Sequence, residues 1–201
     1  DELIVILPSQ KMSGPYRSAT TAALEFPELK VHFFDTTILA PALGSMVKVA
    51  HQWLQEGKSA TEILQKLEQM RGQQQTYFVV DTLEFLHRGG RIGAAKALFG
   101  SVLQIKPILG LANSSIHPIE SQRTTRKATA RLVELVINHY PKDQEGYLTL
   151  SHAGAQERIE SIAQELRSAL GLDDIPIYNL PPAIITHAGP SAVCAQFFSE
   201  T

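Results

Sequence analysis

Thr76-Tyr77-Phe78-Val79-Val80-Asp81-Thr82-Leu83-Glu84-Phe85-Leu86-His87-Arg88-Gly89-Gly90-Arg91-Ile92-Gly93 is the stretch on which the reading of this chain turns. Its first five residues are β-branched or aromatic and predict a strand over Thr76–Val80. Leu83–His87 then predicts a short helical piece, and the glycine pair stops it. A strand handed over to a helix is the unit of an α/β fold, and the rest of the chain repeats that alternation.

Upstream, Leu3–Leu7 predicts a buried strand, Tyr16–Glu25 a helix ending before Pro27, and Lys30–Phe34 a second strand. A helix over Ser45–Glu56 carries Val47, Ala50, Trp53 and Leu54 on one face and stops at Gly57. Ser59 with Glu62 three residues on has the form of a capping box, and Ile63, Leu64, Leu67 and Met70 continue the stripe. The polar run Gly72–Gln75 is the expected boundary, dividing the chain into 1–73 and 74–201. Because the chain opens directly in an apolar strand, it reads as lacking its true N-terminus.

Downstream, Ala94–Phe99 predicts another short helix, and Lys106–Leu111 with Ser115–Glu120 around Asn113-Ser114 predicts a hairpin. Arg123–Tyr140 predicts a helix with Ala128, Leu132, Leu135 and Val136 inward, followed by a strand over Tyr147–Leu150. Gln156–Leu170 shows a stripe of Ile159, Ile162, Ala163, Leu166 and Leu170. Ile175–Tyr178, Ala183–Thr186 and Ala195–Phe198 are expected as late strands.

Composition narrows the function. The 201 residues are 44% hydrophobic with a net charge of -2, so no global basic excess argues for nucleic acid. Cys194 is the single cysteine and the seven histidines show no close His/Cys ligand spacing, which points away from disulfides and structural zinc and towards a reducing cytoplasm. No apolar run approaches the roughly 20 residues that span a bilayer.

Four segments could carry chemistry. Gly89-Gly90 permits close backbone approach, so that backbone donors and Arg91 could converge on an anion; equally, the glycines end a helix and leave the arginines solvated, which composition favours. No G-x-x-x-x-G-K-[ST] and no G-x-G-x-x-G is present. Ser9–Tyr16 delivers Ser13 to a helix start, where free N–H groups suit a carboxylate or where Ser13 is simply an N-cap. His187 is expected on a loop after a strand, at the sheet edge where ligands bind in open α/β folds, although a single loop histidine is more often a surface residue. Arg123, Arg126, Lys127 and Arg131 lie on one predicted helix, either as a basic docking face or, as spacing alone favours, as a solvated one.

Taken in order, Asp81–Ile92, then Leu103-Gln104-Ile105-Lys106-Pro107-Ile108-Leu109, then Arg123, resemble the DegV family. Ser9–Ala19 looks like that family's S-S-x-L-S-G-T-Y loop, Asp35-Thr36 like its D-S/T, and His187-Ala188-Gly189-Pro190 like its H-x-G-P loop. The resemblance implies a two-domain α/β protein, here a remnant of the N-terminal α/β domain plus a C-terminal α/β domain with a lipid tunnel. It also implies a cytoplasmic bacterial carrier, without catalysis or cofactor of its own, that sequesters one long-chain fatty acid such as palmitate or oleate. That carrier presents the carboxylate to the ATP-binding subunit of a fatty acid kinase, which forms the acyl phosphate. By the same resemblance Ser13, Arg91 and His187 bind the carboxylate and Arg123 docks the kinase.

Departures from the family pattern leave other readings open. The family's T-S-x-P-S loop has no counterpart here, Gln10 stands for the second serine of S-S, and Pro15 stands for the threonine of S-G-T-Y. One alternative is a small phosphotransferase or hydrolase using His187 with Ser13. Another is a degenerate member kept for protein interaction.

Overall fold

In the computed structural model, which describes residues 2–100, 105–141 and 146–199, the strand–helix alternation resolves into two sheets of unequal size. The small sheet pairs β1 (Glu2–Leu7) with β2 (Lys30–Asp35) in parallel, with α1 (Pro15–Ala23) as the crossover. Helices α2 (Ala42–Gln55) and α3 (Ala60–Gln73) pack on it through Met46, Trp53, Leu67 and Met70. The capping box at the start of α3 forms in both directions: Ser59 accepts from the Glu62 N–H, and the Ser59 N–H donates to the Glu62 carboxylate at 2.8 Å.

The buried face of α2 is set by Met46, Val49, Ala50 and Trp53 at i, i+3, i+4 and i+7. Val47 and Leu54, expected inward, sit one residue off that arc and are 42% and 58% exposed.

The large sheet has the order β5-β4-β3-β8-β6-β7, built from β3 (Gln75–Val79), β4 (Lys106–Ala112), β5 (Ser115–Gln122), β6 (Gly146–His152), β7 (Ile177–Asn179) and β8 (Val193–Ser199). Only β6 and β7 run parallel. The strand latest in sequence, β8, enters the middle, so residues from both ends of this unit share one surface. Asn113 and Ser114 both take positive φ (51° and 59°) at the β4–β5 turn, the backbone of a two-residue type I′ hairpin.

Helices α5 (Thr125–His139) and α6 (Gln156–Leu170) cover one face, where Leu132, Val136, Ile159 and Leu166 meet Val79, Leu150, Ala195 and Phe197. The opposite face carries α4 (Glu84–Arg88), the 3-10 helix Gly93–Leu98 and α7 (Pro182–Ala188), while Phe198 joins the cluster of α2 and α3.

Helix α7 replaces the strand expected at Ala183–Thr186. The β-branched pair Ile184-Ile185 favours a strand locally, but a four-residue segment is too short to display a period. Pro182 in the first turn cannot donate to a ladder and is preset for a helix start. Accordingly, Ile184 and Ala188 face the same cluster one turn apart.

Candidate functional site

Between the large sheet and helices α4 and α7 lies a cavity whose free space, taken together with the open solvent at its mouth, is about 590 Å³. Phe78, Leu111 and Cys194 line its sheet side, Leu86, Ile184 and Ala188 its helix side, and Met12 and Leu39 reach in from the loops that follow β1 and β2. Its exposed wall is apolar. A second, polar cleft of about 1,340 Å³ lies between those loops, the end of α3 and the β4–β5 hairpin, and meets the cavity at Thr76 and Leu111.

Arg91 and His187 both stand on the cavity wall, brought together by the packing of α4 against α7. The His187 ring turns its Nδ1 corner towards Gly89, so near that a Cβ there would sit 1.9 Å from Nδ1. Gly189, at φ 78°, in turn leaves room for the Phe85 ring, which a Cβ would meet at 2.5 Å. The first glycine pair therefore works through close approach at Gly89 (φ -75°) and a left-handed turn at Gly90 (φ 68°). His187 belongs to the last turn of α7, not to a loop after a strand. Its Nδ1 is buried without a hydrogen-bond partner among the described residues.

Arg91 ties the loop after β1 to the end of α4: Nε donates to the Met12 carbonyl at 3.2 Å, and a terminal nitrogen donates to the Gly89 carbonyl at 2.8 Å. These bonds hold the guanidinium between the Ser9–Gly14 loop and α4. Ser13 lies in that loop next to Met12, half-buried, with its N–H donating to the Ser9 carbonyl at 2.9 Å. It is not among the residues lining the cavity, and α1 is capped by Gly14 instead of the Ser13 side chain.

Arg123 is exposed and precedes α5, whose cap is Thr124, with the Lys127 N–H donating to its hydroxyl. The expected four-residue basic face is therefore reduced. Arg131 is held by Glu120 at 2.7 and 2.9 Å and by Glu134 at 2.6 Å, leaving Arg123, Arg126 and Lys127 around the helix start. In the stretch Leu103–Leu109, Leu103 and Gln104 lie outside the described residues.

Sequence reasoning passed over Thr76 and Gln196, which are 3% and 2% exposed and adjacent across β3 and β8. The available signal was a polar residue at an inward position of an otherwise apolar strand. Cys194 forms part of the same wall; burial pushes its thiol up to about 12, with the Ser151 hydroxyl pulling the other way. Among the described residues no group of three or more His, Cys, Asp or Glu could hold a metal ion, and no helix is long and apolar enough to cross a membrane.

The family model described as "Uncharacterised protein, DegV family" matches residues 1–200. A DegV domain-containing protein of Streptomyces coelicolor is 37% identical over 194 residues, covering 94% of this chain and 67% of the relative. The chain belongs to the DegV family, and it spans about two thirds of the length of such curated relatives. Among solved structures, a fatty-acid-binding DegV family protein of Thermus thermophilus superposes with a TM-score of 0.92 at 32% identity, over 99% of this chain and 71% of that one. DegV of Bacillus subtilis, described as a fatty acid binding protein, gives 0.88 at 32% identity, over 98% and 71%.

Proposed function

We propose that this chain binds and sequesters a single long-chain fatty acid in the cavity beneath α4 and α7, and that it is a carrier without chemistry of its own. The observation that carries the reading is an apolar cavity with a guanidinium and an imidazole held on its wall. Fatty-acid binding by the Thermus and Bacillus relatives supports it. Burying an acyl chain of about 16 carbons is worth ~0.8 kcal/mol per methylene, on the order of 10 kcal/mol in all, so the tail dominates affinity.

A carboxylate leaving water needs charged or hydroxylic donors in return. Arg91 and His187 meet that need at the cavity, and Ser13 contributes from the adjoining loop. The held carboxylate is presented to a partner kinase for acyl-phosphate formation, with Arg123 as part of the docking surface. The division at 73/74 separates a unit that shapes the polar side of the site from one that encloses the tail.

The test is to denature the purified protein and analyse the released lipid by mass spectrometry, with added palmitate and oleate as uptake controls. One long-chain acid per protein is expected; no bound lipid and no uptake of either acid refutes the reading. For the kinase step, Arg123→Glu is expected to lower acyl-phosphate formation by the ATP-binding subunit while leaving fatty-acid uptake unchanged. Equal turnover of the variant and the parent refutes the docking role.

A further inference from the structure

Gly44 has no reason of its own fold to be a glycine. It lies in the first turn of α2, exposed and without a positive φ, and a Cβ built there would meet nothing within 4 Å. Gly89 and Gly189 are fixed by neighbours that a side chain would strike, and Gly90 by its left-handed turn; Gly44 answers to neither demand. Glycine is also, after proline, the least favourable residue inside a helix. What the missing side chain leaves bare is the floor of a groove.

The free space of this groove, taken together with the open solvent above it, is about 990 Å³. Pro41, Leu43 and Gly44 line it from the start of α2, Tyr178, Pro181 and Ile184 from β7 and α7, and its exposed wall is mostly apolar. Two residues, Ala40 and Ile184, line both this groove and the cavity beneath α4 and α7. The wall between the two spaces is therefore one side chain thick at that point. Both of those side chains are apolar, so no polar side chain has to be stripped of water for a hydrocarbon to pass between them.

Length is the second argument. A 16-carbon acyl chain is about 15 Å long, half of the ~30 Å hydrocarbon core of a bilayer. Helices α4 and α7, which roof the cavity, extend only roughly 8 and 10 Å. A long acid has more chain than either of them covers.

Resting on the fatty-acid reading of the cavity, we infer that the groove is a second acyl subsite: part of a long chain passes the Ala40–Ile184 partition and lies along Gly44, so the groove selects for chain length. The bare Gly44 backbone lets methylenes settle where a side chain would stand. Each methylene covered there adds about fourfold in affinity.

The experiment measures displacement of a fluorescent polyene fatty acid from the full chain by decanoic, myristic and stearic acids at submicellar concentration. On the parent protein, affinity is expected to climb from decanoic to stearic acid. Gly44→Phe fills the groove from an open helix position and leaves the cavity untouched. It is expected to weaken stearic acid by at least about tenfold, the loss of two covered methylenes, while decanoic acid stays within about twofold. Tyr178→Glu puts a charge on the other wall of the groove and serves as the second variant should the first not fold; the same selective loss is expected. A ratio of stearic to decanoic affinity that neither variant changes, or equal losses for all three acids, overturns the subsite. A parent protein from which none of the acids displaces the probe, and which takes up no fatty acid, refutes instead the reading beneath it.

Discussion

Gly89→Ala tests how the site is assembled, because its effect should reverse sign with one neighbour. Gly89 ends α4 at φ -75° and ψ -6°, a conformation alanine adopts without strain. The nearest obstacle is His187: the new Cβ would lie 1.9 Å from Nδ1, 2.7 Å from Cε1 and 3.1 Å from Cγ, where contacts under 3.0 Å are essentially never seen. Relief requires the imidazole to move away from the end of α4. Overpacking of this kind costs about 1–3 kcal/mol. With His187→Ala in place the clash vanishes, and Gly→Ala should then stabilise by roughly 0.4–1 kcal/mol through the lower entropy of the unfolded chain. Urea unfolding of the parent, both single variants and the double variant closes the cycle. A coupling of about 1.5–4 kcal/mol is expected from adding these two effects. Equal destabilisation by Gly89→Ala in both backgrounds would show that the glycine serves the backbone and not the histidine.

Gly189→Ala should be more damaging, because a clash with the Phe85 ring at 2.5 Å adds to strain at φ 78°, and Phe85→Ala should rescue only the clash, as thermal melts of the three variants would show. Ser114→Gly should stabilise by about 0.5–1 kcal/mol in urea unfolding, since glycine meets the positive φ of the hairpin turn without a Cβ penalty; a loss of stability would mean that the largely buried Ser114 side chain matters more than its backbone. For Cys194, the folded thiol titrates at about 12 against 9.0 for the free group. Below pH 9 both states keep the proton and the thiol adds no pH dependence. Above it only the unfolded chain ionises, so stability falls with rising pH at a limiting slope of about 1.4 kcal/mol per unit. Unfolding of the parent and Cys194→Ala between pH 8 and roughly pH 11 should show that slope in the parent alone, over and above changes common to both.

Sequence legibility followed the length of each periodic signal. α6 appears with the bounds its stripe predicts, and the Ser59–Glu62 box forms as read, because each depends on contacts within one or two turns. The Asn113-Ser114 turn was visible for the same reason. What failed was short or tertiary. The four residues Ala183–Thr186 carry too little period to separate strand from helix, and the proline ahead of them decides the matter. Ser13 suits a helix cap by residue type, one of the two roles its position allows, yet the loop turns one residue later and Gly14 takes the cap. The pairing of Gly89 with His187 spans nearly a hundred residues and depends on α4 meeting α7, which no local pattern records.

The cavity has its own explanation in helix length. The face of the large sheet packed by α5 and α6 is covered by two helices of 15 residues, each about 22 Å long at 1.5 Å per residue. On the other face α4 has five residues and α7 seven, roughly 8 and 10 Å, too short to span the strands beneath them. Glycines bring these two short helices into close contact with each other, through Gly89 against His187 and Gly189 against Phe85, so they roof the sheet together without descending onto it. Phe198, at one end of β8, is buried by α2 and α3, while Cys194, nearer the other end of the strand, lines the cavity. Gln196 lies between them on the same face, where apolar packing gives way to open space, and its amide grips the Leu39 carbonyl on the loop after β2. A side chain that both ties the loop after β2 to the large sheet and borders the cavity couples occupancy of the cavity to the fit between them. Binding there should therefore raise the stability of the whole chain as one transition, and two separate transitions, only one of them shifted by ligand in calorimetry, would refute that coupling.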